Sequence, residues 1–286
     1  PQFNFYLMYS TDISVSRAKE MILGKLSKYF SPQVFSSIFT GELDVKIDTR
    51  RKNLTIFFSD IKGFTSLTEK LEPEQLTNLI ADYLTEMTDI AMKYGGTVDK
   101  YIGDAIMIFF GDPDTKGIKT DAVSCVKMAL EMLTRLSVIK KKWESQGISD
   151  NLSIRIGIHS DICTVGNFGS KDRLDYTVLG NGVNLASRLE GLAKPNTILI
   201  SDSTYNIIKE EIECTASEEV KVKGKLQPVK TYKVNDVLSG HRNTDIFYED
   251  EGFLLNIEES KITNVDLIID NLKKSILKLK SNKREK

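Results

Sequence analysis

Two aspartates stand where strand-like runs give way to turns. Leu54 to Ser59 leads into Asp60, with a turn signal at Gly63, and Asp104 falls in Ile102-Gly103-Asp104 between the apolar runs Thr97–Tyr101 and Ala105–Phe110. Hairpin and strand ends of this kind can bring two carboxylates to one end of a sheet. Carboxylates held together repel unless a cation lies between them, and oxygen ligands with open positions suit magnesium or manganese shared with substrate phosphates. Aspartate also favours turns, so spacing alone leaves two solvated turn residues open. Around Asp60, the backbone N–H groups at Gly63 and Phe64 precede a helix and could cradle phosphate oxygens. The string lacks the Walker A pattern, which argues against P-loop chemistry. Arg155, Lys223 and Lys225 add cations that would each read singly as solvated surface charge, and Asn184 and Arg188, four apart, share a helix face.

The elements that must position these groups follow from periodicity. Pro73 opens a helix whose apolar face, Leu76, Leu79, Ile80, Tyr83, Leu84, Met87, Ile90 and Ala91, runs to a stop at Gly95-Gly96. Ile102-Gly103-Asp104 reads as a tight hairpin, and a long helix is predicted over about 118 to 145. The alternation Leu152, Ile154, Ile156, Ile158 puts Arg155 on the opposite face of a strand. Further strands are predicted at 163–168 and 174–179, and a helix from Asn181 to Leu192. Hairpins mixed with crossovers imply an α/β fold of the α+β sandwich kind, a mixed, mainly antiparallel sheet with helices packed on it. Three regions are expected: an N-terminal helix and linker over 1–50, interrupted at Pro32, a main domain over 51–238, and a C-terminal helical extension over 239–286 with a basic tail.

Composition narrows the classes. The 286 residues include 39 basic and 40 acidic side chains, and this balance, with 41% hydrophobic residues, excludes both a disordered chain and a generic nucleic-acid binder. No run of about 18 apolar residues occurs, so no membrane contact is expected of this segment. Cys125, Cys163 and Cys214, an odd number at long spacings, suit a reducing, cytoplasmic setting and read as buried small hydrophobes. The chain opens on Pro1 without a signal-peptide pattern, so it is expected to continue from an upstream sensor or membrane anchor.

Four blocks in order carry a specific resemblance. Phe57-Phe58-Ser59-Asp60-Ile61-Lys62-Gly63-Phe64-Thr65, then Gly95-Gly96-Thr97-Val98-Asp99-Lys100-Tyr101-Ile102-Gly103-Asp104-Ala105, then Arg155-Ile156-Gly157-Ile158-His159, then Asp175 through Arg188 together resemble a class III nucleotidyl cyclase catalytic domain, most closely the Thr-containing subtype of bacterial adenylate cyclases. The resemblance implies a ferredoxin-like, palm-like cyclase fold. It implies that Asp60, Asp104 and the backbone carbonyl of Ile61 hold two Mg2+ or Mn2+ ions per site, and that ATP becomes 3′,5′-cyclic AMP and pyrophosphate. Lys100 and Thr177 fall at the base-reading positions, and a lysine donor suits adenine N1, which accepts, better than guanine N1, which carries hydrogen. By the same resemblance Asn184 orients the ribose, Arg188 stabilises charge on the α-phosphate, and Arg155 and Lys223, with Lys225 beside them, hold the terminal phosphates. His159 is expected to be structural, and Asp161 to occupy a turn where many relatives carry glycine. Metal aspartates and base-reading residues come from different catalytic units in the family, so a head-to-tail homodimer is implied. A guanylate cyclase and a catalytically silent, nucleotide-binding dimerisation module are the alternatives.

Overall fold

Two long antiparallel strands, β1 (Asp48–Lys62) and β4 (Ser153–Gly169), form the spine of the computed structural model, which describes residues 17–41, 46–145, 152–220, 228–238, 246–250, 253–257 and 265–282. They pair without interruption from Asp48 opposite Asn167 to Lys62 opposite Ser153. The separate strands expected at 152–158 and 163–168 are therefore one. Asp161 lies inside β4 opposite Leu54 rather than in a turn, because a 15-residue partner satisfies the backbone past it. With β2 (Thr97–Ile102), β3 (Ala105–Phe110), β6 (Thr197–Ser201), β7 (Ile212–Ala216) and β8 (Thr231–Val237) the sheet runs β2-β3-β1-β4-β6-β8-β7, and β5 (Leu174–Leu179) pairs with the far half of β4. Only β4 and β6 are parallel among these pairings. This is the expected mixed, mainly antiparallel α/β sandwich.

Period-2 alternation sends the two strand faces into different cores. Phe57, Ile61, Ile106, Ile108, Ile154, Ile156 and Ile158 pack under α4 (Pro73–Tyr94) and α5 (Ile118–Ser145), against Tyr83, Met87, Met128 and Trp143. Leu54, Ile56, Phe58, Met107, Phe109, Cys163, Val165 and Val178 face the other way, where Ala186 of α6 (Asn181–Leu192) covers them. Each such large side chain taken from water contributes about 1.5–3 kcal/mol. As predicted, Pro73 sits in the first turn of α4, and Gly95 ends it in a left-handed conformation at φ 83°.

The N-terminal helix expected before Pro32 is α1 (residues 17–26), followed by a 3-10 turn, and Pro32 opens a second helix, α2 (Pro32–Thr40), capped by Ser31. The sequence reading took Pro32 as a breaker and missed its role at a first turn. α3 (Phe64–Thr68) and α7 (Asp202–Ile208) are short. Cys125 and Cys163 are buried as expected, while Cys214 is half-buried, because its strand β7 lies at the sheet edge. Residues 239–286 form a second compact unit. It contains a hairpin of β9 (Ile246–Asp250) and β10 (Phe253–Ile257) before α8 (Val265–Asn282), so this region is not wholly helical as expected.

Candidate active site

Register brings the two aspartates together. The β1–β3 pairing ends with Ser59 opposite Ile106, so Asp60 on β1, still paired with β4, comes beside the β2–β3 turn, where Gly103 at φ 65° and Asp104 sit. The Ile61 N–H donates to Asp104 Oδ2 at 3.0 Å, which fixes Asp104 next to Asp60. Burial, and then the charge of Asp60, push the Asp104 carboxyl up to about 6. Asp60 pairs across the sheet with Arg155, whose Nη2 donates to Asp60 Oδ2 at 2.6 Å.

A third carboxylate completes this cluster, and sequence reasoning missed it. Glu190 Oε1 lies 3.0 Å from Arg155 Nη2, an ion pair poorly directed for a hydrogen bond. Burial pushes Glu190 up to about 7, and Asp60 and Asp104 add to that rise while Arg155 opposes it. The signal that could have found Glu190 is Gly157, two residues after Arg155 on the same strand face. A Cβ there would lie 2.1 Å from the Glu190 backbone nitrogen and 2.4 Å from the Ala186 carbonyl oxygen. Only glycine lets α6 settle onto β4 closely enough to bring Glu190 over Arg155.

The donor set fits a hard divalent cation. Asp60 and Asp104 offer carboxylate oxygens side by side, burial and then the charge of Asp60 raise the Asp104 carboxyl, and the Arg155 guanidinium occupies the counter-ion position. Among the described residues no group of three or more His, Cys, Asp and Glu is arranged as a closed metal cage, which accords with magnesium held by one or two carboxylates plus substrate phosphates. Gly63 adopts a left-handed conformation at φ 80° and opens α3. That places Gly63 and Phe64 directly after β1.

A second cluster lies between β2 and β5. Lys100 Nζ donates to Asp175 Oδ2 at 3.0 Å and lies 3.7 Å from Asp99 Oδ2. Asp99 Oδ2 also accepts the Thr177 hydroxyl at 2.9 Å. Burial pulls the Lys100 ammonium down, but Asp175 and Asp99 outweigh it and hold the group above its ordinary range. Lys100 and Thr177 thus converge, and Asp99 and Asp175, unremarked in the sequence reading, join them.

Asn184 and Arg188 are both exposed on α6. At 3.6 residues per turn they lie about 40° apart around the helix axis, whereas Glu190 is rotated about 120° from the first and 160° from the second. The face that carries them is therefore not the one that meets Asp60 and Arg155. Lys223 and Lys225 fall outside the described residues. His159 is buried, its Nδ1 2.7 Å from Ser201 Oγ and 3.1 Å from Ser203 Oγ, a structural placement as expected.

The comparisons with known proteins identify the family. Residues 47–236 match the adenylate and guanylate cyclase catalytic domain. An adenylate cyclase of Anabaena cylindrica is 33% identical over 225 residues, 76% of this chain and 42% of that protein. A receptor-type guanylate cyclase of Caenorhabditis elegans is 35% identical over 61% of the chain and 17% of its own length. The chain thus spans less than half of these curated relatives. Among solved structures, the adenylyl cyclase CyaB from P. aeruginosa is 52% identical with a TM-score of 0.65, covering 66% of this chain and 97% of that one. A guanylyl cyclase structure, 32% identical, covers 68% of this chain and 96% of its own with a TM-score of 0.64. With its strand-end aspartates, its sheet and two thirds of its length accounted for together, the chain belongs to the class III nucleotidyl cyclase catalytic-domain family.

Proposed function

We propose that this chain is an adenylate cyclase catalytic domain that converts ATP to 3′,5′-cyclic AMP and pyrophosphate at sites shared across a head-to-tail homodimer. The observation that carries this reading is the meeting of Asp60 and Asp104 beside Arg155 at one strand end, with the cationic donor Lys100 presented from the neighbouring hairpin. Asp60, Asp104 and the Ile61 carbonyl are the groups that would hold two Mg2+ or Mn2+ ions. Bound there, such ions lower the pKa of the ribose 3′-hydroxyl and neutralise charge on the triphosphate.

The residues do the rest by position. In the reaction the 3′-oxygen forms a bond to the α-phosphorus as the bond to pyrophosphate breaks, and the hydroxyl proton passes to solvent. Arg155 and Lys223, with Lys225 nearby, and the backbone at Gly63 and Phe64 hold the terminal phosphates. Arg155 reaches this task from an existing carboxylate pairing, so phosphate replaces Asp60 and Glu190 as its partner. Asn184 orients the ribose, and Arg188 meets the charge that grows on the α-phosphate. Lys100 donates to adenine N1 and Thr177 faces the 6-amino group. Rotation of Asn184 and Arg188 away from the Asp60 face supports their service to a second protomer's nucleotide. Among the described residues no helix is long and apolar enough to cross a membrane.

The test is cyclic nucleotide production by the purified chain from ATP or GTP, with magnesium and then manganese, and with Asp60→Ala as the blank. Cyclic AMP from ATP, lost in the variant, is expected. Cyclic GTP-derived product alone would replace the substrate assignment. Nucleotide binding without turnover at high protein concentration would point to the silent module.

A further inference from the structure

Strand β2 carries one residue more than its partner. Val98 pairs with Ile108 and Lys100 with Met107, so Asp99 is the extra residue of a β-bulge. Bulges turn side chains that would alternate, and here both Asp99 and Lys100 reach toward β5. The Asp99 side chain is fully buried, and its Oδ1 has no hydrogen-bond partner. Its Oδ2 has two neighbours, the Thr177 hydroxyl that donates to it at 2.9 Å and the Lys100 ammonium 3.7 Å away. A buried carboxylate is not spent on so few contacts without consequence for them.

That consequence is a fixed hydrogen-bond polarity. An ionised carboxylate only accepts, so the Thr177 proton must point at Asp99, and the hydroxyl can offer nothing but lone pairs to a ligand. Adenine presents a 6-amino donor at the corresponding edge, whereas a 6-oxo purine presents an acceptor. We propose that Asp99 is a specificity-determining positioning residue: by holding the Thr177 hydroxyl as an obligate acceptor, it selects nucleotides with a 6-amino group. This rests on the adenylate cyclase reading above. Burial pushes the Asp99 carboxyl up to about 6, opposed by Lys100 and Thr177, so it is ionised at neutral pH.

The experiment compares kcat/KM for ATP with that for purine riboside triphosphate, which keeps the N1 acceptor and lacks the 6-amino group. In the unaltered chain the ratio is expected to be about 10 or more, and in Asp99→Asn, whose amide can donate to Thr177 and release its proton toward the base, it should fall to about 2 or below. A merely structural role would depress both substrates together and leave the ratio unchanged, which overturns the proposal. Thr177→Val reads the same relay without touching the carboxylate. It must also lose the ratio, and Asp99→Asn added to it must cost none further; an independent additional loss overturns the relay. A ratio near 1 in the unaltered chain overturns it without any variant. Absence of cyclic AMP formation from ATP would instead sink the adenylate cyclase reading, and the inference with it.

Discussion

Arg155 has two obligations in one place. Its guanidinium lies between Asp60 and Glu190, both drawn out of water on the same face of the sheet, and it neutralises part of a three-carboxylate cluster that would otherwise resist burial. The side chains proposed to meet metal and phosphate are thereby held together, with Arg155 offsetting part of their repulsion. Arg188 is exposed on a different face of α6 from Glu190, and its proposed part is to meet the charge that develops on the α-phosphate. Arg188→Ala is therefore expected to lower kcat for ATP by about 100-fold while KM changes by less than about threefold. Steady-state kinetics check this, and a raised KM with kcat preserved would reassign Arg188 to ground-state binding. Of the proposed site residues, Asp60 and Asp104 were legible from their strand-end and turn positions and Asn184 with Arg188 from helix spacing, whereas Lys100 and Thr177, inside strands β2 and β5, were reached only through the family resemblance. Glu190 and Asp99 were not legible, because their importance comes from contacts across strands and helices, which residue type and spacing do not encode.

Placement of those side chains depends on how β1, β4 and α6 meet. α6 lies over β4 at Gly157, where even a methyl group would collide with backbone rather than with a side chain that could swing aside. Overpacking of this kind costs about 1–3 kcal/mol, and here it would also lift Glu190 from Arg155. Gly191, on the same helix, has open space where a Cβ would stand. Gly157→Ala should thus destabilise the chain by about 1–3 kcal/mol, whereas Gly191→Ala should be neutral or stabilising by up to about 1 kcal/mol, since alanine is the better helix former. Urea denaturation distinguishes the two, and equal effects would mean that α6 does not dock through Gly157. Helices α4, α5 and α6 were readable from periodicity and their Pro or Gly boundaries. The unbroken length of β4 was not, since Asp161 reads locally as a turn residue, and only the 15-residue pairing with β1 shows that the backbone continues through it. α2 was missed for a related reason, Pro32 marking a helix start as readily as an end.

At the scale of the whole molecule, one chain carries both sets of proposed site residues on different faces. Asp60 and Glu190 meet at Arg155, and Asn184 and Arg188 are exposed on another face of α6. In the proposed head-to-tail pair, Asn184 and Arg188 of each protomer would lie over the carboxylates of the other and complete two equivalent sites. This arrangement makes a quantitative prediction that a self-contained monomer does not. Asp60→Ala is expected to be inactive and Arg188→Ala to keep only about 1% of the unaltered activity, but a mixture in equal amounts should regain far more than either. In a mixed dimer one site receives Asp60 from one protomer and Arg188 from the other, while the second site lacks both. Random re-pairing yields half mixed dimers with one working site in two, so about a quarter of the unaltered activity should return. Assay of the mixture after exchange of protomers checks this, with doubly substituted chains as the control. Restoration near a quarter establishes that metal-binding and charge-stabilising groups come from different protomers, and a mixture as silent as its parts returns both sets to a single chain.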